Sequence, residues 1–324
     1  MRTTALVLHE DCGRHDTGWG HPEHQGRLPA VVRAIEKATP QLQDAILQHR
    51  ATPASAEAIR RVHTAAHIDH VRALADHAAT EGRPVTVGGD TVVSAASWAA
   101  AHAAAGCAVD AVRLIMEGRA GTAFALCRPP GHHATPDRIM GFCLFNNVAI
   151  AARCLEAEYG VRRVLIIDWD VHHGNGTQDI FWADGNVYYL SLHQWPWYPG
   201  TGSAAERGEG GGEGLTRNVP LPAGTTAQAY RSAFSEAVAT AFLSFAPEFV
   251  LVSAGFDAMA GDPLGGLMLE PQDLHAMTRL VLDHAGDPAR GRVAAVLEGG
   301  YAPVRVGEGV VAVLSALCDR PGVV

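Results

Sequence analysis

The chain has few cysteines, and none of the six belongs to a C-x-x-C pair. They lie at positions 12, 107, 127, 143, 154 and 318, mostly in apolar or helical contexts. This distribution argues against a disulfide framework and predicts reduced thiols in the protein core. Because reduced thiols are typical of the cytosol, we expect a cytoplasmic protein.

The sequence also lacks an excess of positive charge and a long hydrophobic run. The 25 Lys and Arg residues are outnumbered by 34 Asp and Glu, so the formal net charge is −9. This charge argues against a surface that binds nucleic acid or an anionic membrane. The apolar run at 5–8 is too short for a signal peptide and predicts a first strand. The alanine-rich stretch 95–109 contains His102 and predicts a soluble helix rather than a membrane span.

What is present is an ordinary globular composition with alternating strand and helix patterns. Of the 324 residues, 48% are hydrophobic and 18% are charged, which suits a domain with a large core. The glycine-rich patch 208–214 predicts a surface loop, and we expect one domain over residues 1–324. The alternation predicts an α/β fold with a mainly parallel sheet and helices on both faces. Apolar runs predict strands at 5–8, 122–126, 164–167, 187–192, 249–252 and 293–297, and helical patterns occur at 95–117, 147–159, 226–245, 271–284 and 306–317.

Titratable residues follow four of these predicted strands. The four segments are 128–134, 168–176, 253–258 and 298–301. The carboxyl ends of parallel strands share one edge of an open α/β sheet, and that edge is where such sheets bind ligands. The sequence therefore predicts an active site assembled from four strand ends.

A group of carboxylates and imidazoles at this edge predicts a bound cation. In an extended chain, Asp168, Asp170 and His172 project to the same side. Buried acidic groups need compensation, which a metal ion supplies. Asp170, His172 and Asp257 together offer three protein ligands and leave a coordination position open, as in catalytic sites. An aspartate after a glycine is also a common turn residue, so Asp257 has this second interpretation.

The remaining polar residues suggest amide hydrolysis. His132 and His133 could transfer protons near neutral pH, although paired histidines are also common metal ligands. Asp168 and Asn175 are available to orient the two imidazoles. Tyr301 follows two glycines and could donate its hydroxyl to an oxyanion.

Six motifs resemble the zinc-dependent histone deacetylase family and occur in that family's order. Asn175, the run 191–193 and the glycine-rich loop resemble the class II branch and its bacterial deacetylase-like amidohydrolases. The resemblance implies an arginase–deacetylase fold with about eight strands in its central sheet. The motifs are RPPGHHA (128–134), GFCLFNN (141–147), DWDVHHGNG (168–176), SAGFDA (253–258), DPLG (262–265) and LEGGY (297–301).

The resemblance implies two kinds of bound cation. Asp170, His172 and Asp257 match the ligands of a single Zn²⁺ ion. A structural K⁺ or Na⁺ ion would lie nearby and bind partly through backbone carbonyls. The residues that match this second site are Asp168, Asp170, His172, Ser191 and Leu192.

The resemblance also implies catalytic roles in hydrolysis by a zinc-activated water. His133 matches the general base that later becomes the general acid, and Asn175 would pair with it. His132, paired with Asp168, would give electrostatic help. Tyr301 matches the tyrosine that stabilises the transition state, which favours a true catalyst.

The resemblance further implies a narrow tunnel for the acyl-lysine side chain. Phe142 matches one wall, and Tyr198 stands where the opposite wall usually has Phe. Asp90 resembles the rim aspartate that holds the substrate backbone. Leu264 stands where relatives specific for acetylpolyamines can have Glu, which favours an acyl-lysine substrate. The predicted substrate-binding residues are Phe142, Tyr198, Asp90, Leu264, Gly141 and Gly300.

The expected function is metal-dependent removal of acyl groups, above all acetyl, from lysine-like amines. Deacylation of acetylpolyamines or other small N-acyl amides is an alternative. An arginase-like ureohydrolase would need a two-metal cluster, and a protein of another class would bind acyl amines without turnover. A homo-oligomer is compatible with the sequence.

Overall fold

The computed structural model describes residues 3–286 and 289–322, and its central element is an eight-stranded sheet. The strand order is β2-β1-β5-β10-β9-β6-β7-β8, and every neighbouring pair is parallel. A short antiparallel hairpin, β3 with β4, lies apart from this sheet. The strands are β1 (Thr4–Leu8), β2 (Ile46–Arg50), β3 (Val85–Val87), β4 (Thr91–Val93), β5 (Thr122–Leu126), β6 (Val164–Asp168), β7 (Val187–Gln194), β8 (Thr216–Leu221), β9 (Phe249–Ala254) and β10 (Val293–Leu297).

Helices surround the sheet in two packed groups. Helices α1, α9, α8 and α7 pack against one another in that order, and α4 packs with α5 and α3. The prediction of an α/β fold with a parallel sheet of about eight strands is confirmed. The helices are α1 (Arg27–Leu42), α2 (Ala56–Arg60), α3 (Ala65–Glu81), α4 (Ser97–Met116), α5 (Asn147–Tyr159), α6 (Asn175–Phe181), α7 (Ala227–Phe245), α8 (Pro271–His284) and α9 (Pro303–Leu317).

The central strands are buried on both faces, which explains their continuous apolar sequences. Every residue of β5, β6, β9 and β10 is buried, as is usual for parallel strands covered by helices. Helix α4 is long and apolar enough to cross a membrane, yet 78% of its most apolar window is buried inside the fold. This burial is typical of a core helix.

The two edge strands and the hairpin have no such signal. Strand β2 is half-buried or exposed throughout, and β8 contains Pro220 and is only partly buried. Neither has the continuous apolar run by which a buried strand is recognised. The predicted surface loop at 208–214 is mostly exposed, and Gly212 is buried against the carbonyl of Trp182.

Candidate active site and metal centre

The four strand ends that carry polar residues lie side by side. Strands β5, β10, β9 and β6 are consecutive in the sheet, so the segments that follow them converge at its carboxyl edge. Asp168 is the last residue of β6 and pairs in register with Ser253 of β9. The fold thus brings together the side chains that sequence reasoning placed in one site.

Asp170, His172 and Asp257 form a group that could hold one metal ion. Their candidate ligand atoms all lie within 4.8 Å of one another, and all three residues are buried. Nδ1 of His172 lies 3.0 Å from Oδ1 of Asp170 and 3.3 Å from Oδ2 of Asp257. Two carboxylates and one imidazole form a donor set that zinc accepts.

The two carboxylates are held in place by backbone groups. Oδ2 of Asp170 accepts a hydrogen bond from the amide of Gly299 at 2.9 Å, and Oδ1 of Asp257 accepts one from the amide of Val171 at 2.8 Å. Glycines make this close approach possible. A Cβ on Gly299 would come within 2.1 Å of Oδ2 of Asp257.

One oxygen of this group lacks the partner that a buried carboxylate requires. Oδ2 of Asp257 is buried and has no well-aligned hydrogen-bond donor among the described residues. Burial raises the pKa of Asp257 to about 7. Burial lowers the pKa of His172, but hydrogen bonds and charges of Asp170 and Asp257 outweigh this effect and raise it to about 10. The site thus attracts positive charge and has an oxygen free for it, so these residues fit a bound cation.

The two adjacent histidines have different partners. Nδ1 of His132 lies 3.1 Å from Oδ2 of Asp168, which also accepts a hydrogen bond from the Tyr189 hydroxyl at 3.0 Å. Nδ1 of His133 lies 2.8 Å from Oδ1 of Asn175. Burial lowers the pKa of His132, but the charges of Asp170 and Asp168 raise it to about 10. These two carboxylates thus favour the protonated form of His132.

His133 is held in its neutral form. Burial, followed by the charges of His132 and His172, keeps the pKa of His133 well below its usual value. The Asn175 amide nitrogen contacts the sulfur of Met140 at 3.3 Å, so its oxygen faces His133 and accepts the Nδ1 hydrogen. Nε2 then has the free lone pair that a general base needs.

Tyr301 is fixed by its backbone and lies over a buried cation. Its amide donates a hydrogen bond to Oδ2 of Asp262 at 2.6 Å, and the Arg27 guanidinium lies 5.1 Å from its ring centroid. Burial, and then the charge of Asp257, raise the pKa of the phenol well above its usual value. The hydroxyl therefore stays protonated and available as a hydrogen-bond donor.

Above these groups lies a pocket of about 240 Å³. The predicted tunnel residues Phe142 and Tyr198, the rim residue Asp90, and Leu264 all line it. Gly300 is not part of the lining. Its carbonyl accepts a hydrogen bond from Arg27 at 2.6 Å, and its substrate-binding role stays a prediction. The lining consists of Asp90, His133, Gly141, Phe142, His172, Trp197, Tyr198, Leu264 and Tyr301.

A tight turn positions the Phe142 wall. Gly141 has φ +57°, and a Cβ there would lie 2.2 Å from Cδ2 of His133. Phe142 itself has φ +67°, which is uncommon for a residue with a side chain. Its amide donates a hydrogen bond to Oγ1 of Thr91 at 2.9 Å. The wall and the base are therefore packed as one unit.

Sequence reasoning missed a buried carboxylate that supports the histidines. Oε2 of Glu298 accepts hydrogen bonds from the amides of Gly131 at 2.6 Å and His132 at 3.1 Å, and the Ser253 hydroxyl donates to Oε1 at 3.3 Å. Burial raises its pKa to about 7. The signal was its place within the LEGGY motif, directly after a buried strand.

A buried ion network beneath the site was also missed. Oε1 of Glu23 accepts hydrogen bonds from Arg27 at 2.9 Å and Arg128 at 2.6 Å, and all three side chains are at most 1% exposed. Arg27 also donates to the carbonyl of Glu298 at 2.7 Å. Only Arg128 lies in a motif, and its partners come from a segment more than 100 residues away in sequence.

The residues of the predicted monovalent site come from adjacent strands. Asp168 of β6 pairs in register with Ser191 of β7. The Leu192 carbonyl accepts a hydrogen bond from the buried Tyr230 hydroxyl at 3.3 Å. The presence of a K⁺ or Na⁺ ion there stays a prediction.

Two further buried histidines, His63 and His67, support the loop before α5. Nε2 of His63 accepts a hydrogen bond from the amide of Asn146 at 2.9 Å, and Nε2 of His67 bonds the carbonyl of Leu144 at 2.8 Å. Burial lowers the pKa of His63 to about 3. Both residues act structurally in this fold.

Comparisons with known proteins agree with this geometry. A model of the histone deacetylase domain matches residues 21–317. The chain is 39% identical to histone deacetylase 10, chloroplastic, of Oryza sativa subsp. japonica over 87% of its own length and 66% of that protein. It is 40% identical to a histone deacetylase-like amidohydrolase of Pseudomonas aeruginosa over 88% of its own length and 73% of that protein. A crystal structure of an HDA15 HD domain superposes with a TM-score of 0.91 at 37% identity, covering 100% of this chain and 92% of that one.

Proposed function

Since the chain belongs to the histone deacetylase family and is a metal-dependent deacetylase, we propose that zinc is its metal and acetylated lysine its substrate. One observation carries the proposal. Three metal-ligand side chains, a histidine pair and a protonated tyrosine meet at the base of one pocket. His133 is neutral and Tyr301 is protonated, as a general base and an oxyanion donor must be.

Asp170, His172 and Asp257 would hold the zinc ion. When bound, zinc would polarise the acyl carbonyl and lower the pKa of a water. The open side of this group faces the pocket, because His172 is one of the lining residues. A carbonyl at the end of an acylated amine could therefore approach these three side chains from solvent through the pocket.

His133 supplies proton transfer. Its Nε2 lone pair takes the proton from the attacking water, and the imidazolium then gives that proton to the leaving amine. Asn175 holds Nδ1 through both steps and stays neutral. His132 is paired with Asp168, and in its protonated form it would favour the negative charge that develops on the acyl oxygen.

Tyr301 is the second group that stabilises the oxyanion. Its hydroxyl donates a hydrogen bond to the developing alkoxide, a contribution that is typically large in a water-excluded site. Tyr301 is only 9% exposed. The tyrosine therefore does not have to be reordered or desolvated during the reaction.

The lining of the pocket supports a lysine-like substrate. Phe142 and Tyr198 provide aromatic walls for an aliphatic stem, and Leu264 contributes an apolar side chain at the position where polyamine-specific relatives can carry a carboxylate. Without that carboxylate, a second cationic amine lacks its partner there. We therefore favour acetyl-lysine over an acetylpolyamine.

The two other rivals fit the site less well. Within the described residues, one group of three metal ligands lies together, whereas a ureohydrolase would need ligands for two ions. A non-catalytic binding protein would have no use for a neutral His133 beside a protonated Tyr301. The neutral His133 and the protonated Tyr301 both support a catalytic role for the site.

The test is turnover of a fluorogenic acetyl-lysine peptide before and after chelation. We expect turnover that disappears on chelation and returns when Zn²⁺ is added back. A parallel panel of acetylated peptides and acetylpolyamines at matched concentrations gives the substrate class, and a higher kcat/KM for acetylpolyamines would overturn the lysine assignment. Turnover that survives chelation would overturn the metal assignment.

Three further expectations stay proposals. A monovalent K⁺ or Na⁺ ion would lie beside Asp168 and Ser191. A cytoplasmic location is supported by the six free cysteines, all of them buried. Assembly into a homo-oligomer is compatible with the fold. Light scattering would test it by measuring the molar mass in solution.

A further inference from the structure

A chain of hydrogen bonds joins opposite sides of the pocket mouth. The Tyr198 hydroxyl donates to Oδ2 of Asp90 at 3.1 Å. The Thr91 hydroxyl donates to Oδ1 of Asp90 at 2.7 Å and accepts from the amide of Phe142 at 2.9 Å. The two aromatic walls are thus connected through one carboxylate, in the turn of the β3–β4 hairpin.

The backbone of Asp90 is fixed as well. Its carbonyl accepts a hydrogen bond from Nε2 of His21 at 3.0 Å. Nδ1 of the same ring accepts from the amide of Glu23 at 3.0 Å, so the Nε2 nitrogen carries the hydrogen. The His21 ring also packs edge-on against Phe142, with 4.6 Å between centroids. The Tyr198 hydroxyl joins this assembly to the opposite wall through its hydrogen bond to Asp90.

Tyr198 reaches from the reaction centre to the rim. Its ring packs edge-on against His133, with 5.1 Å between centroids, and against His172, with 6.0 Å. The residue is 38% exposed, so its hydroxyl could be solvated by water without bonding to protein. A phenylalanine would preserve the ring contacts and lose the contacts of the hydroxyl with Asp90 and with the Gly141 backbone.

We propose that Tyr198 is a positioning residue for substrate recognition, and that its hydroxyl holds the Asp90 carboxylate ready to accept the backbone N–H groups that flank an acylated lysine. The inference rests on the proposed function, because it assigns the substrate a peptide backbone. Each Asp90 oxygen accepts one internal hydrogen bond and has a second lone pair for the substrate. A carboxylate already fixed in place binds without losing further side-chain freedom.

The first test separates this role from that of a simple wall. Tyr198→Phe is compared with wild type on an acetyl-lysine peptide and on the same peptide with its two flanking backbone nitrogens methylated. On the unmodified peptide we expect KM to rise about threefold to tenfold, the effect of one hydrogen bond, with kcat within twofold. On the methylated peptide, which has no N–H for Asp90, the variant and wild type should have the same KM. An equal rise on both peptides, or a fall in kcat alone, would overturn the proposal.

The second test needs no turnover. Hydrogen exchange of residues 85–93 should be about threefold to tenfold faster in Tyr198→Phe than in wild type, because the hairpin loses its tie to the opposite wall. Tyr159→Phe, at the end of α5, removes a hydroxyl far from the pocket and should leave this exchange unchanged. Unchanged exchange in Tyr198→Phe would overturn the positioning role. Absence of chelator-sensitive turnover in wild type would instead refute the proposed function.

Discussion

Substitution of Gly141 by alanine tests whether the position of His133 is as critical as the geometry implies. A Cβ at residue 141 would lie 2.2 Å from Cδ2 and 2.6 Å from Cγ of His133, whereas ordinary contacts begin near 3.4 Å. The imidazole would have to retreat by about 1 Å. Its 2.8 Å contact with Asn175 would then lengthen beyond hydrogen-bonding range, and the tautomer would no longer be fixed.

A misplacement of about 1 Å at a reacting group typically costs about 10²-fold in rate. We therefore expect Gly141→Ala to lower kcat/KM on the acetyl-lysine peptide by about 10²-fold. The variant should remain folded, because the clash is with one side chain at the edge of a pocket. Far-ultraviolet circular dichroism checks the fold, and steady-state kinetics measure the loss.

The matched control is Gly160→Ala. Gly160 ends α5 with φ +66°, close to the φ of +57° at Gly141, and a Cβ there would meet nothing within 4 Å. Both variants suffer the strain of a left-handed alanine, about 1–2 kcal/mol, but only one disturbs the base. If kcat/KM of Gly141→Ala were within threefold of that of Gly160→Ala, the claim that Gly141 is needed to make room for His133 would be refuted.

Three other substitutions test two residues of the site and one structural histidine. Tyr301→Phe should lower kcat by about 10²-fold with little change in KM, the scale for losing an oxyanion donor, and near-normal turnover would remove Tyr301 from the mechanism. Asn175→Asp should raise the pKa of His133, because a carboxylate favours the imidazolium; the acidic limb of kcat/KM against pH should move to higher pH, and an unmoved limb would contradict this pairing. His63 has a folded-state pKa lowered to about 3, so its stabilising effect is complete above its unfolded pKa near 6.5 and is lost as pH falls below it. When the pH is lowered from 7 to 5, the free energy of unfolding should fall by about 2 kcal/mol more in wild type than in His63→Gln. Urea denaturation measures both values, and parallel pH profiles would contradict a neutral buried His63.

The sequence alone predicted the centre of the sheet well because burial on both faces requires continuous apolar strands. Strands β5, β6, β9 and β10 each showed this pattern, and the polar segments after them form the site. Strands β2 and β8 border solvent and have mixed burial. Their formation depends on pairing with a neighbour already in place, which local periodicity does not report.

The candidate site also has residues that the sequence predicted and residues that it did not. The proposed metal ligands and the histidine pair are recognisable because chemistry fixes their residue types and spacing. Glu298 and Asp262 act by accepting hydrogen bonds from backbone amides, a role that many acidic residues could fill. The contact between Tyr198 and Asp90 joins residues 108 positions apart, so only the folded chain reveals it.

Glu298 directly follows β10. Its carboxylate accepts hydrogen bonds from the amides of Gly131 and His132, in the segment after β5, and from the Ser253 hydroxyl near the end of β9. The histidine pair is therefore anchored to the buried centre of the sheet, while Asp90 and Tyr198 stand on connections at the surface. Changing Asp90 or the Tyr198 hydroxyl should alter which molecules are accepted and leave the reaction itself intact, whereas the turn at 141–142 packs against His133 and has to be kept. For an enzyme engineer, selectivity in this scaffold can be altered at the rim without disturbing the chemistry.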